Sequence, residues 1–75
     1  MHFHQYDKIA KDELKKIAKK NNKSLNSVIK GFTAGQDEDI TRDFWIGIRE
    51  KYSDKFNRVE YCPSCKKFEI YREDD

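Results

Sequence analysis

A change of period near residue 58 decides what kind of fold this chain can adopt. Before it, apolar residues recur at three- and four-residue spacing, the mark of one helix face; after it they alternate, as a half-buried strand does. Between Asp7 and Asn22 the apolar set is Ile9, Ala10, Leu14, Ile17 and Ala18, with lysines on the remaining faces. Asp7 is expected to cap this helix, and Asn21 and Asn22 to stop it. A short second helix is expected from Ser24, carrying Leu25, Val28, Ile29 and Phe32, with Gly31 and Gly35 weakening its end. The acids Asp37, Glu38 and Asp39 suit the start of a third helix, with Ile40, Phe44, Ile48 and Tyr52 at intervals of four and Trp45 beside them. Residues 53–58 then read as a connection in which Phe56 tucks back onto the core.

From Val59 the pattern is that of a β-hairpin: Val59 and Tyr61 before Cys62, Phe68 and Ile70 after Cys65, and the sequence CPSC at the tip. The acidic end, Glu73 to Asp75, is expected to fray. The fold class is therefore α+β, a small single domain of two to three short helices plus a C-terminal hairpin carrying a CxxC knuckle. Its parts are a basic helical portion (1–34), an amphipathic helix and connection (35–58) and the hairpin (59–72). No internal repeat is visible.

With only 75 residues, the chain can bury a modest core, and small cores often require a metal, a disulfide or a partner subunit as a staple. The net charge of +2 hides an asymmetry: residues 1–34 hold eight lysines against three acids, +5, and residues 35–75 come to −3. That basic half reads either as a solvated helix face or as an electrostatic footprint for phosphate or an acidic partner. No run approaches the roughly 20 apolar residues that cross a bilayer, and the N-terminus has no apolar signal core, so a cytoplasmic protein is expected.

In a reducing compartment two cysteines are more often metal ligands or redox groups than a structural disulfide. Cys62 and Cys65 at a hairpin tip are similar to the knuckle of zinc ribbons, where a tight turn converges two thiolates and backbone N–H groups on one ion. Four ligands are needed, and there is no second CxxC. His2 and His4 alternate with Phe3, so both imidazoles lie on one side of an extended segment and are candidates to complete a zinc site. Two chains, each giving one CxxC to a four-thiolate site, are the alternative, and the plain reading is a pair of thiols or a disulfide. A thioredoxin-like role is weaker, because a strand rather than a helix follows the motif. There is no glycine-rich phosphate loop and no nucleophile motif, so no enzyme is expected.

Leu14, Ile17, Ala18, Lys23, Ser24, Leu25, Asn26, Ser27 and Ile29 resemble the helix, turn and second helix of ribbon-helix-helix DNA-binding proteins of the Arc and HicB-antitoxin type. The likeness covers residues 2–34 and is sharpest over KSLNSVI. It implies a dimer whose N-terminal strands pair, with the start of the second helix clamping a backbone phosphate. On this reading Gln5, Lys23, Ser24 and Asn26 contact DNA. The strand departs from the family pattern, since His2, His4 and Tyr6 take core-facing places and Asp7 replaces proline. A helix-turn-helix alignment is poorer, because Asn21 and Lys23 fall where apolar residues belong. The expected function is a small DNA-binding regulator. The alternative is a protein-binding module or inhibitor using Phe44 and Trp45, aromatic residues being frequent binding anchors.

Overall fold

The computed structural model describes residues 6–74. Three helices, α1 (Asp7–Lys20), α2 (Leu25–Thr33) and α3 (Glu38–Tyr52), are followed by strands β1 (Arg58–Cys62) and β2 (Lys67–Tyr71). The strands form an antiparallel hairpin with Val59 opposite Ile70 and Tyr61 opposite Phe68.

Local chemistry sets the boundaries. At the end of α1, Asn22 takes a left-handed conformation with φ 55°, and the Lys23 N–H returns to the Ala18 carbonyl at 2.9 Å. Gly35 does the same after α2, with φ 68°. Both are left-handed helix ends that satisfy carbonyls left over by the last turn. Ser24 caps α2 by accepting the Ser27 N–H at 3.2 Å, and Asp37 caps α3 by accepting the Ile40 N–H at 3.2 Å.

The start of α1 corrects the expectation. Its cap position is Tyr6, left-handed and without a side-chain cap; Asp7 is the first helical residue. The Asp7 carboxylate is engaged elsewhere: Oδ1 accepts the Phe68 N–H at 2.7 Å and Oδ2 lies 3.1 Å from Lys11 Nζ. The capping oxygen has been taken to fix α1 to β2.

The core is Ala10, Leu14, Ile17 and Ala18 of α1, Val28 of α2, Ile40, Phe44 and Ile48 of α3, and Phe68 and Ile70 of β2, closed by Phe56. An aromatic row crosses it: Phe44 lies 4.8 Å from Phe32, Phe32 6.1 Å from Phe68, and Phe68 4.7 Å from Tyr61. Each fully buried large apolar side chain contributes about 1.5–3 kcal/mol, and Ile40, Phe44 and Ile48 of α3 with Phe68 and Ile70 of the hairpin belong to the same cluster as the buried residues of α1 and α2. The core thus closes within one chain.

The acidic end is better held than expected. Asn57 Nδ2 donates to the Glu73 carbonyl at 2.9 Å and the Glu73 N–H donates to Asn57 Oδ1 at 2.8 Å. Arg72 adds a hydrogen bond to the Asp54 carbonyl and a contact to Asp74. Residue 75 lies outside the described residues. No helix among them is long and apolar enough to cross a membrane.

Candidate functional site

The hairpin turn is the more chemically specific of two candidate sites. β1 ends on Cys62, residues 63–66 form the turn, and β2 begins at Lys67 opposite Cys62. The Lys66 N–H closes the turn on the Cys62 carbonyl at 2.7 Å, and Lys66 pays for this with a left-handed φ of 56°. This conformation brings the chain back toward Cys62, whose Sγ lies 3.3 Å from Ser64 Oγ. Hydrogen bonding by the Ser64 hydroxyl, then by the Cys65 backbone N–H and side chain, holds the Cys62 thiol below its ordinary pKa. Its bond to Cys62 pushes Cys65 the other way, with desolvation adding to the rise and Lys67 opposing it. Of the two, Cys62 is therefore the more readily deprotonated. Cys62 is half-buried; Pro63, Ser64, Cys65, Lys66 and Lys67 are exposed.

Such a pair can hold a soft metal or close to a disulfide. Among the described residues no group of three or more His, Cys, Asp and Glu side chains surrounds it. His2 and His4 lie outside the described residues. Since β2 follows directly, the helix N-terminus on which thioredoxin-like chemistry depends is missing from the turn.

The second candidate is the basic surface. Lys8, Lys11, Lys15 and Lys19 succeed one another at three- and four-residue spacing and form a ridge on the side of α1 away from Leu14 and Ala10. Lys20 and Lys23 continue it into the turn before α2, where Lys23, Ser24, Asn26 and Ser27 are all exposed. Among the described residues, Lys11 alone of the eight lysines in 1–34 is within ion-pair distance of a carboxylate. The N–H groups of Leu25 and Asn26 precede any carbonyl of their own helix that could accept them. Gln5, expected to contact a base, lies outside the described residues.

Of the two aromatic residues expected to face a protein partner, Phe44 is 0% exposed and belongs to the core. Its position on the buried stripe of α3, four residues from Ile40 and Ile48, leaves no route to the surface. Trp45 is half-buried with its ring edge-on to Phe44 at 5.1 Å, and the neighbouring Ile46 is 48% exposed. A groove of about 470 Å³ lies elsewhere, between the end of α2 and β1, and includes Phe32, Val59, Tyr61, Pro63 and Phe68.

Sequence reasoning missed the polar contact between α1 and α3. Glu13 is only 7% exposed, and Lys51 Nζ lies 3.7 Å from its Oε2. Lys16 meets Lys51 there: the Lys51 side chain holds Lys16 below the ordinary lysine pKa, while Lys16 and then Glu13 raise Lys51. Gly47 makes room, since a Cβ at that position would sit 1.8 Å from Glu13 Oε1. The signal was present, because Glu13 falls three residues after Ala10 and four before Ile17, on the buried stripe.

No family model, curated protein or solved structure matches the chain.

Proposed function

We propose that this chain is a non-enzymatic DNA-binding protein that grips the phosphate backbone with the lysine ridge of α1 and the start of α2. The observation that carries the reading is the ridge itself: Lys8, Lys15 and Lys19 exposed in a row, continued by Lys20 and Lys23, with no carboxylate among the described residues in ion-pair reach of any of them. Unpaired ammonium groups at this density repel one another, and a polyanion relieves that repulsion while releasing its own counterions. Ser24, Asn26 and the outward N–H groups of the first turn of α2 supply short-range donors at the end of the ridge. A regulatory role, and the dimer that the ribbon-helix-helix resemblance implies, extend this proposal.

Duplex DNA titrated at several salt concentrations tests it. Affinity should fall steeply with salt, and Lys15→Ala, Lys19→Ala and Lys23→Ala combined should flatten the log–log slope by about 2–3, at about 0.9 per lost phosphate contact. Full-length folded protein that leaves DNA mobility unchanged at low salt would reject the reading. That result would turn attention to the alternative, a protein-binding module, which the apolar groove beside β1 favours.

A further inference from the structure

We infer that Cys62 and Cys65 are a reversible dithiol–disulfide pair at the tip of the hairpin, oxidised by low-molecular-weight disulfides and separate from the basic surface. Two sulfurs are all that this chemistry needs, and the turn brings two together. The cysteines stand at either end of a Pro-Ser step, and the left-handed Lys66 folds the chain so that its N–H bonds the Cys62 carbonyl at 2.7 Å. A four-residue turn keeps its end Cα atoms within about 7 Å, and a disulfide spans about 4.4–6.8 Å between them. The Cys65 side chain is already within hydrogen-bonding reach of Cys62. Ser64 Oγ at 3.3 Å gives the Cys62 sulfur a further hydrogen-bonding neighbour that stabilises a thiolate. Lys66 and Lys67, both exposed, favour the thiolate and draw in an anionic reagent such as oxidised glutathione.

The packing lets the tip take either state. Phe68 and Ile70 are buried, Asp7 receives the Phe68 N–H, and the Asn57–Glu73 pair closes the far end. The rest of the hairpin is thus held by contacts in which neither sulfur takes part, while residues 63–67 are all exposed. In the reaction the Cys62 thiolate attacks one sulfur of the reagent, whose S–S bond breaks and expels a thiolate. Cys65 loses its proton to that thiolate, attacks the Cys62 sulfur and expels the second. The dithiol gives up two electrons and two protons, and the reagent leaves as two thiols. The second step is intramolecular, so it outruns the arrival of another reagent molecule and no mixed disulfide accumulates. An exposed disulfide on a tight turn is of the kind that reductants reopen.

Full-length protein, reduced and kept in chelator, can be equilibrated with graded ratios of reduced to oxidised glutathione and quenched with iodoacetamide. Intact mass should show one transition, from a chain alkylated at both cysteines to a chain carrying neither alkyl group nor glutathione and two hydrogens lighter than the dithiol. Reductant should restore the first form, and circular dichroism should show the helices in both. Cys62→Ser and Cys65→Ser should each retain one glutathione, because the thiol that displaces it is gone. The inference is overturned if the wild-type cysteines stay alkylatable at the most oxidising ratio. It is equally overturned if the wild-type chain accumulates bound glutathione, if its disulfide links two chains, or if oxidation unfolds the helices. Because these readings use the unaltered chain, misfolding of a serine variant cannot rescue the idea.

Discussion

Gly47 and Glu13 show how far one missing methyl group can decide a contact. Alanine is the better helix former by about 1 kcal/mol, yet at position 47 its Cβ would overlap Glu13 Oε1 at 1.8 Å. Gly47→Ala is therefore expected to destabilise the protein by about 1–3 kcal/mol through overpacking and displacement of the carboxylate. In a Glu13→Ala background the obstacle is gone, and the same substitution should become stabilising, by up to about 1 kcal/mol. Urea unfolding of the four proteins of this cycle would reveal the change of sign; additive effects would show that Glu13 and Gly47 do not compete for space. Position 13 was legible as helical and as lying on the stripe with Ala10 and Ile17. That a carboxylate can stay there depends on a glycine 34 residues away in the chain, on a different helix, and no local pattern carries that information. Phe44 was misjudged as a surface anchor for a related reason: composition marks an aromatic residue as a good anchor, while only its phase relative to Ile40 and Ile48 says which way it faces.

Among elements, the three helices and the hairpin were readable because each keeps one period throughout and ends on residues with a mechanism: Asn21 and Asn22, Ser24, Gly35 and Asp37. What the pattern does not encode is which elements touch. Asp7 looked like a helix cap because aspartate at a helix start usually is one, but its acceptor oxygen reaches across to the Phe68 N–H. Asp7→Ala should leave that partly buried N–H without its partner at a cost of about 1–3 kcal/mol, and the loss should be local to the α1–β2 seam. Hydrogen exchange is expected to accelerate at the Phe68 amide more than at amides in the middle of α3. Uniform acceleration across the protein would mean that the seam does not open separately. The hold on Glu73 was hidden on the same ground, since the Asn57 side chain that bonds it is 16 residues distant in sequence.

For the molecule as a whole, α1 and α2 have their apolar faces covered by α3 and the hairpin. A peptide of residues 1–34 would uncover Leu14 and Val28, both 0% exposed in the full chain, and its two helices of 14 and 9 residues are marginal alone in water. It should be largely unfolded by circular dichroism at micromolar concentration. A folded, cooperatively melting dimer would instead mean that the ribbon-helix-helix likeness extends to a self-sufficient core built from two chains. The candidate sites were legible to different depths: CPSC announced its turn, whereas the lysine ridge became a defined surface only once the helix phase and the carboxylate neighbours were fixed. The bond from Asp7 to Phe68 joins residues 61 apart, and β2 packs on α1, so α1 is completed by a strand made long after it. Closing so wide a loop is entropically costly and delays the step that depends on it. During synthesis α1 must therefore wait with part of its apolar face uncovered until β2 has left the ribosome.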